Sequence, residues 1–295
     1  MKRLLLVAMA AVGLSVAACS GTAEDPNANV GNDDDEEVIS RSEPLAVPKP
    51  MLTFLKNEGW GSHHLEWHTV RQWDRLGPSD QAWAKKQGWA RADVQEGAKG
   101  NGLEFLAMHR VMIRILKQKF PKDAAIFDGW AVPPTDPKDK NDPCTSGTFD
   151  PAKMPALDKL QNHLGDFKTD DEIGLYLETT LRPTAKDPNA RSTDRSAGIH
   201  NYLHNRFMDP NSKIDIGDPS VNLQNKRFWR LHGWIESRWT EFRAMKHLTE
   251  DDPAYKAAIQ KAEAMLATKM KGPVGAGYAE PPPDSLRKFF EQNPD

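Results

Sequence analysis

The sequence predicts a mainly α fold: an antiparallel four-helix bundle core that holds a metal site, with long loops and extra peripheral helices. Three observations carry this expectation. Apolar residues recur at helical spacing from Leu103 to Phe120, around Phe228 to Phe242, and from Asp251 to Met270. Two His-x-x-x-His pairs, His64/His68 and His200/His204, each place two imidazoles one turn apart on a single helix face. No strand-rich region, internal repeat, nucleotide-binding glycine loop or Ser-centred nucleophile motif competes with them.

Taken in order, Met1 to Cys19 reads as an export signal. Lys2 and Arg3 precede the apolar run Leu4 to Val12, and small residues follow. The run is too short and alanine-rich to favour a lasting membrane span. Residues 20–50 are polar and acidic, with Asp33-Asp34-Asp35-Glu36-Glu37 and several prolines, and are expected to form a disordered tether. The folded body is placed at 51–295. Its first helix-like stretch, GWGSHHLEWHTVRQW, sets His63, His64 and His68 among Trp60, Trp67 and Trp73; an aromatic core helix is the competing reading.

From Leu103 to Phe120 the stripe is Phe105, His109, Met112, Leu116 and Phe120, which Arg110, Arg114, Lys117 and Lys119 largely avoid. Residues 130–155 are rich in Pro, Asp and Lys and read as a long surface loop. Cys144 falls there and is expected to be a free thiol, so no internal disulfide staples the body. Asp170 to Leu181 suits a short helix with Thr169 as N-cap and Glu172 at capping-box spacing. His163 and His247 have no partner at metal spacing and read as surface or capping residues. A Gly/Pro loop follows from Gly272 to Pro283, then a last short helix from Ser285 to Phe290.

A hydrophobic content of 38%, with nine Trp and eleven Phe, is ample for a core. The net charge is −3 and no basic patch with interleaved aromatics stands out, so nucleic acid is not expected as a partner.

The chemistry concentrates between Ile199 and Phe242. His200 and His204 share a face with Leu203 and Phe207, and His232 lies in the stripe of Phe228, Ile235, Trp239 and Phe242. Two histidines on one helix and a third on another can enclose a metal. Imidazole suits zinc, copper, iron and nickel, so spacing alone does not choose among them.

Two motifs here resemble the tyrosinase family of type 3 copper proteins. In FWRLHGWIESRW, Phe228 and Trp229 precede His232 at the family's spacing, Glu236 stands where the family usually has Asp, and Trp239 follows. His200-Asn201-Tyr202-Leu203-His204 matches the family's HNxxH. The Asp-Pro usual just before the Phe is replaced by Asn225-Lys226-Arg227, with Asp218-Pro219 further upstream. Phe105 to Arg110 is similar to the first copper motif, with Met108 for the usual aromatic and Lys117 for the usual Glu. The family's middle histidine of that site is missing: Lys99-Gly100-Asn101-Gly102 holds none. Either His64, His68 and His109 form the first site, with His63 in reserve, or that site is incomplete. The first account mirrors the second site and would bring six inward histidines together in a four-helix bundle.

The resemblance implies two copper ions, dioxygen and a small phenolic substrate. The expected activity is hydroxylation of phenols or oxidation of catechols to o-quinones. Asn201 matches a residue that helps hold the water that deprotonates a phenol. The Glu that usually shares this role is not evident, with Arg191 and Asp194 in its neighbourhood. The alternative is a non-catalytic envelope protein with one intact three-histidine site. Val16-Ala17-Ala18-Cys19 resembles a bacterial lipobox, which implies lipidation at Cys19; Ser20 resembles an outer-membrane sorting signal, so the anchor would face the periplasm or the cell surface.

Overall fold

A computed structural model describes residues 45–134, 149–187, 189–208, 211–268 and 281–292 of the chain. These residues fall within one compact unit. The export signal with Cys19, the acidic stretch up to residue 44, Cys144 and residues 272–280 lie outside them.

The fold is mainly α. Helices α1 (Lys49–Asn57), α2 (Trp60–Arg71) and α3 (Pro78–Lys86) lead into the long α4 (Asn101–Lys119). Next come α5 (Met154–Asn162) and α6 (Asp170–Glu178). A small antiparallel hairpin, β1 (Leu181–Pro183) with β2 (Arg191–Thr193), precedes α7 (Ile199–Phe207). The chain then forms α8 (Lys226–Met245), α9 (Pro253–Ala267) and α10 (Asp284–Gln292).

Local chemistry sets the helix limits. Thr169 accepts from Glu172 N at 3.1 Å, and the Glu172 carboxylate reaches back to Lys168 N at 2.7 Å, one residue before the usual capping-box partner. Asn225 caps α8 through Arg227 N at 2.9 Å, and Asp252 caps α9 through Tyr255 N at 2.9 Å with Pro253 at the first position. Past the end of α8, His247 takes φ +54°, and Leu248 N–H returns to Arg243 O at 2.9 Å. His247 thus ends a helix in the left-handed conformation. His163 follows α5 and faces Asp158 at 3.4 Å.

One boundary differs from the sequence reading. The tether was expected to run through residue 50, yet its last residues belong to the body. Val47 N donates to Gln224 O at 2.9 Å, Leu45 O accepts from Lys226 N at 2.6 Å, and Val47 is buried. The buried Val47 side chain and these two backbone hydrogen bonds secure this end against the start of α8, and α1 begins at Lys49.

The histidine-bearing helices α2, α4, α7 and α8 frame the main core. The hub is α4, which packs on α6, α8 and α9. Its tightest approach, to α6, needs two glycines: a Cβ at Gly102 would lie 2.3 Å from Asp171 O, and one at Gly174 would lie 2.1 Å from Gly102 O. A smaller second core gathers Trp73, Trp83 and Trp89 and is closed by Leu286 and Phe290 of α10. Each of those two apolar side chains contributes about 1.5–3 kcal/mol by burial.

Candidate metal centre

Six histidines gather in two triads, His64/His68/His109 and His200/His204/His232, each with ligand nitrogens within 4.8 Å of one another. All six are buried. In each triad two imidazoles come from one helix, α2 or α7, and the third from a neighbour, α4 or α8. The first helix is buried on most sides, since every residue from Ser62 to Leu65 and from Trp67 to Arg71 is covered. That is why the sequence shows no clean stripe there. His63, the reserve ligand, points elsewhere and meets Thr268 O at 2.5 Å through Nε2.

Hydrogen bonds at the outer nitrogens decide which nitrogen is free. His64 Nδ1 faces Pro219 O at 3.0 Å, His109 Nδ1 faces Phe105 O at 2.9 Å and His204 Nδ1 faces Ile216 O at 2.6 Å. A carbonyl oxygen only accepts, so in these rings Nδ1 carries the proton and Nε2 the lone pair. His200 Nδ1 is held by Asn201 Oδ1 at 3.2 Å.

The Nε2 atoms converge. His64 Nε2 lies 3.1 Å from His68 Nε2 and 3.4 Å from His109 Nε2, while His200 and His232 Nε2 are 3.3 Å apart. His204 Nε2 is buried with no hydrogen-bond partner. Between His64 and His109 two lone pairs therefore oppose each other with no proton to share, an unfavourable arrangement that a cation relieves. Metal–nitrogen bonds of roughly 2.0–2.1 Å in tetrahedral geometry put ligand nitrogens ~3.3 Å apart, so the spacing fits. The donors are all imidazole, with no carboxylate or thiolate in either triad.

Protonation states agree with ligation. Burial pushes the His64, His68, His109, His200 and His232 imidazoles well below the ordinary value, and neighbouring histidines add to the effect. Burial likewise lowers His204, to about 4, against the opposing hydrogen bond to Ile216 O. All six are neutral near pH 7, as metal ligation requires.

The triads are contiguous. The His109 and His232 rings stack with centroids 3.9 Å apart at 13°. Phe105 packs against His109 and His200, each at 4.8 Å, and Phe228 against His64 at 5.3 Å and His232 at 4.1 Å. Both phenylalanines thus wall both triads. No protein-family model matches this sequence, and no curated protein matches it either.

The motif residues outside the triads also meet. Arg110, next to His109, donates to Glu236 through Nε at 2.8 Å and lies 3.6 Å above the Trp239 ring. Lys117 instead pairs with Asp128 at the surface. Asn201 uses its oxygen on His200, and it also lines a cavity of about 840 Å³ with Lys153, Glu96 and Arg75. Glu96 is ion-paired to Arg75 at 2.8 Å. Arg191 sits on β2, while Asp194 caps the turn at Ser196, accepting its N–H at 3.0 Å.

Sequence reasoning missed the outer acceptors. Phe105 O could have been read, because it is the i−4 carbonyl of the same helix. Pro219 O and Ile216 O could not, being backbone atoms delivered by a loop distant in sequence from at least one of the triads.

Proposed function

We propose that this chain is a binuclear, type 3 copper oxidase that uses dioxygen to oxidise phenols or catechols to o-quinones. The observation that carries the reading is the pair of all-imidazole triads joined through the stacked His109 and His232 rings. A donor set without carboxylates speaks against the non-haem iron and hard-cation classes, and imidazole suits copper. The motif resemblance at Phe228 to Trp239 and at His200 to His204 selects copper among the remaining metals.

His64, His68 and His109 would hold one ion, and His200, His204 and His232 the other. Bound copper supplies the electron relay: two catechols give four electrons and four protons to one dioxygen, yielding two o-quinones and two waters. The protein's part is to keep six lone pairs directed inward. Backbone carbonyls of Pro219, Phe105 and Ile216 hold the Nδ1 protons of their histidines, and Asn201 orients His200. Phe105 and Phe228 exclude bulk water from the space between the triads.

The experiment is copper loading of the purified protein, followed by metal analysis and oxygen uptake with a catechol. Two coppers per chain and oxygen uptake matched to quinone formation are expected. Two tightly held metals with no oxygen consumption under any phenol would replace this reading with metal storage.

By the lipobox resemblance we also propose a lipid-anchored location at the bacterial cell envelope; no described helix is long and apolar enough to cross a membrane. Cys19→Ala should move the protein from the membrane fraction to the soluble fraction or leave it unprocessed. An unchanged distribution would refute the anchor.

A further inference from the structure

One short segment, residues 214–222, serves both triads. Ile216 O receives the His204 Nδ1 proton and, three residues on, Pro219 O receives that of His64. Two tight turns shape it: Asp215 Oδ1 accepts from Gly217 N at 3.1 Å, and Asp218 Oδ1 accepts from Ser220 N at 2.8 Å. The segment sits directly on α2. A Cβ at Gly61, one turn before His64, would lie 2.2 Å from Ser220 O.

Asn222 closes the segment and is 2% exposed. Its N–H bonds Asp218 O at 2.9 Å, which fixes its position in the turn. Its Nδ2 donates to Ile216 O at 3.4 Å, the oxygen that also serves His204. Its Oδ1 receives no hydrogen bond. A buried amide that ties the segment to Ile216 O and leaves its own oxygen unpaired is costly unless its neighbours need it there.

We propose that Asn222 is a positioning residue for both metals, holding the Ile216 carbonyl on His204 and, by closing the segment, the Pro219 carbonyl on His64. The inference rests on the two triads binding metal and does not require copper or oxidation. Supports at this remove typically change metal affinity about 10–100-fold.

The test uses Co(II) titrations in two single-site backgrounds, His68→Ala for the second triad alone and His232→Ala for the first. Adding Asn222→Ala to each should raise Kd about tenfold or more in both. A purely structural role would lower the unfolding midpoint while leaving Co(II) affinity per folded protein unchanged. Asn222→Asp provides an independent readout should the alanine variant fail to fold. It keeps the side chain's size but cannot donate to Ile216 O, so it should weaken both triads as alanine does. Unchanged affinity in both backgrounds, or loss in only one with Asn222→Ala, overturns the proposal while leaving the metal reading intact. Failure of both parent variants to bind Co(II) overturns the metal reading and this inference together.

Discussion

In the first triad, His64 and His68 come from α2, a helix covered on most sides, and their companion His109 takes its outer hydrogen bond from its own helix at Phe105. In the second, His200 and His204 come from α7, whose opposite face, through Asn201, Tyr202 and Asn205, lines the cavity of about 840 Å³. The plan of two histidines on one helix and one on another is shared. The supports differ: the outer acceptors identified in the first triad are backbone carbonyls, whereas the second adds a side chain, Asn201. Backbone support carries no sequence signature, and side-chain support does. The HNxxH motif includes its own orienting amide, which is one reason the second triad reads more easily.

The sharpest way to break the comparison is to delete one ligand from each triad. His68→Ala and His232→Ala should each lower copper from two ions to one and abolish oxygen-dependent quinone formation, since the proposed reaction needs both. Metal analysis on folded protein and an oxygen electrode read the two outcomes. A fully active His232→Ala protein would end the binuclear reading, and an unchanged copper content in His68→Ala would remove the first triad from it.

The next largest effect concerns the clamp between the triads. Arg110 of α4 is buried against Glu236, Thr240 and the Trp239 ring of α8, so it ties the helix carrying His109 to the helix carrying His232. Arg110→Met removes the cation and leaves Glu236 half-buried without it. Breaking such a pair costs about 3–5 kcal/mol when both partners are fully buried; Glu236 retains some solvent access, so the lower end is expected. Urea denaturation of the metal-free variant measures it. A loss under about 1 kcal/mol would show that aromatic packing alone holds α4 to α8.

How much was legible follows the same physics. Helices α8 and α9 show a stripe because each has a solvent face to contrast with its core face. Helix α4 is covered on every side from Phe105 to Ile113, and its stripe shows through the partly exposed Arg114 and Lys117 and the exposed Lys119 of its last turns. All three were placed within a few residues. For α2 burial on nearly every side erased the stripe, so only the His64/His68 spacing pointed to the site. Its partner His109 was marked by a motif that lacked the usual middle histidine. The hairpin β1–β2 went unread because two three-residue strands, Leu181–Pro183 and Arg191–Thr193, give no usable alternation. The tight α4–α6 contact was hidden as well, since Gly102 and Gly174 mark close backbone approach only once the helices are docked.

An effect of comparable size, read without metal, is pH dependence. His204 falls from its ordinary 6.5 to about 4 on folding because it is buried. Between those values the unfolded chain binds more protons than the folded one, so stability is complete above about pH 6.5 and is lost as pH falls toward 4. His204 alone accounts for about 3 kcal/mol over that window, and the other five histidines shift in the same direction. Metal-free protein should therefore show a much lower urea midpoint near pH 5 than near pH 7. His204→Gln should flatten the profile; equal midpoints in the wild type would mean the triads are open to water.

The smallest effect tests the difference between the triads most directly. Asn201 is the one side chain whose oxygen meets the outer nitrogen of a triad histidine in the bonds described above, at 3.2 Å from His200 Nδ1. It can be removed without touching the backbone, unlike Pro219 O, Phe105 O or Ile216 O. Its bond is long and the residue is half-buried, so water can partly replace the lost acceptor. Asn201→Ala should thus weaken the second triad by about tenfold, the low end for a group that orients a ligand, and leave the first unchanged. Asn201→Asp should tighten the second triad, because a carboxylate on Nδ1 makes the opposite nitrogen a stronger donor. Competitive chelation of zinc in the His68→Ala background isolates that site. If alanine and aspartate there bind as the parent does, the ring is held by packing against Phe105 and the asymmetry between the triads has no energetic weight.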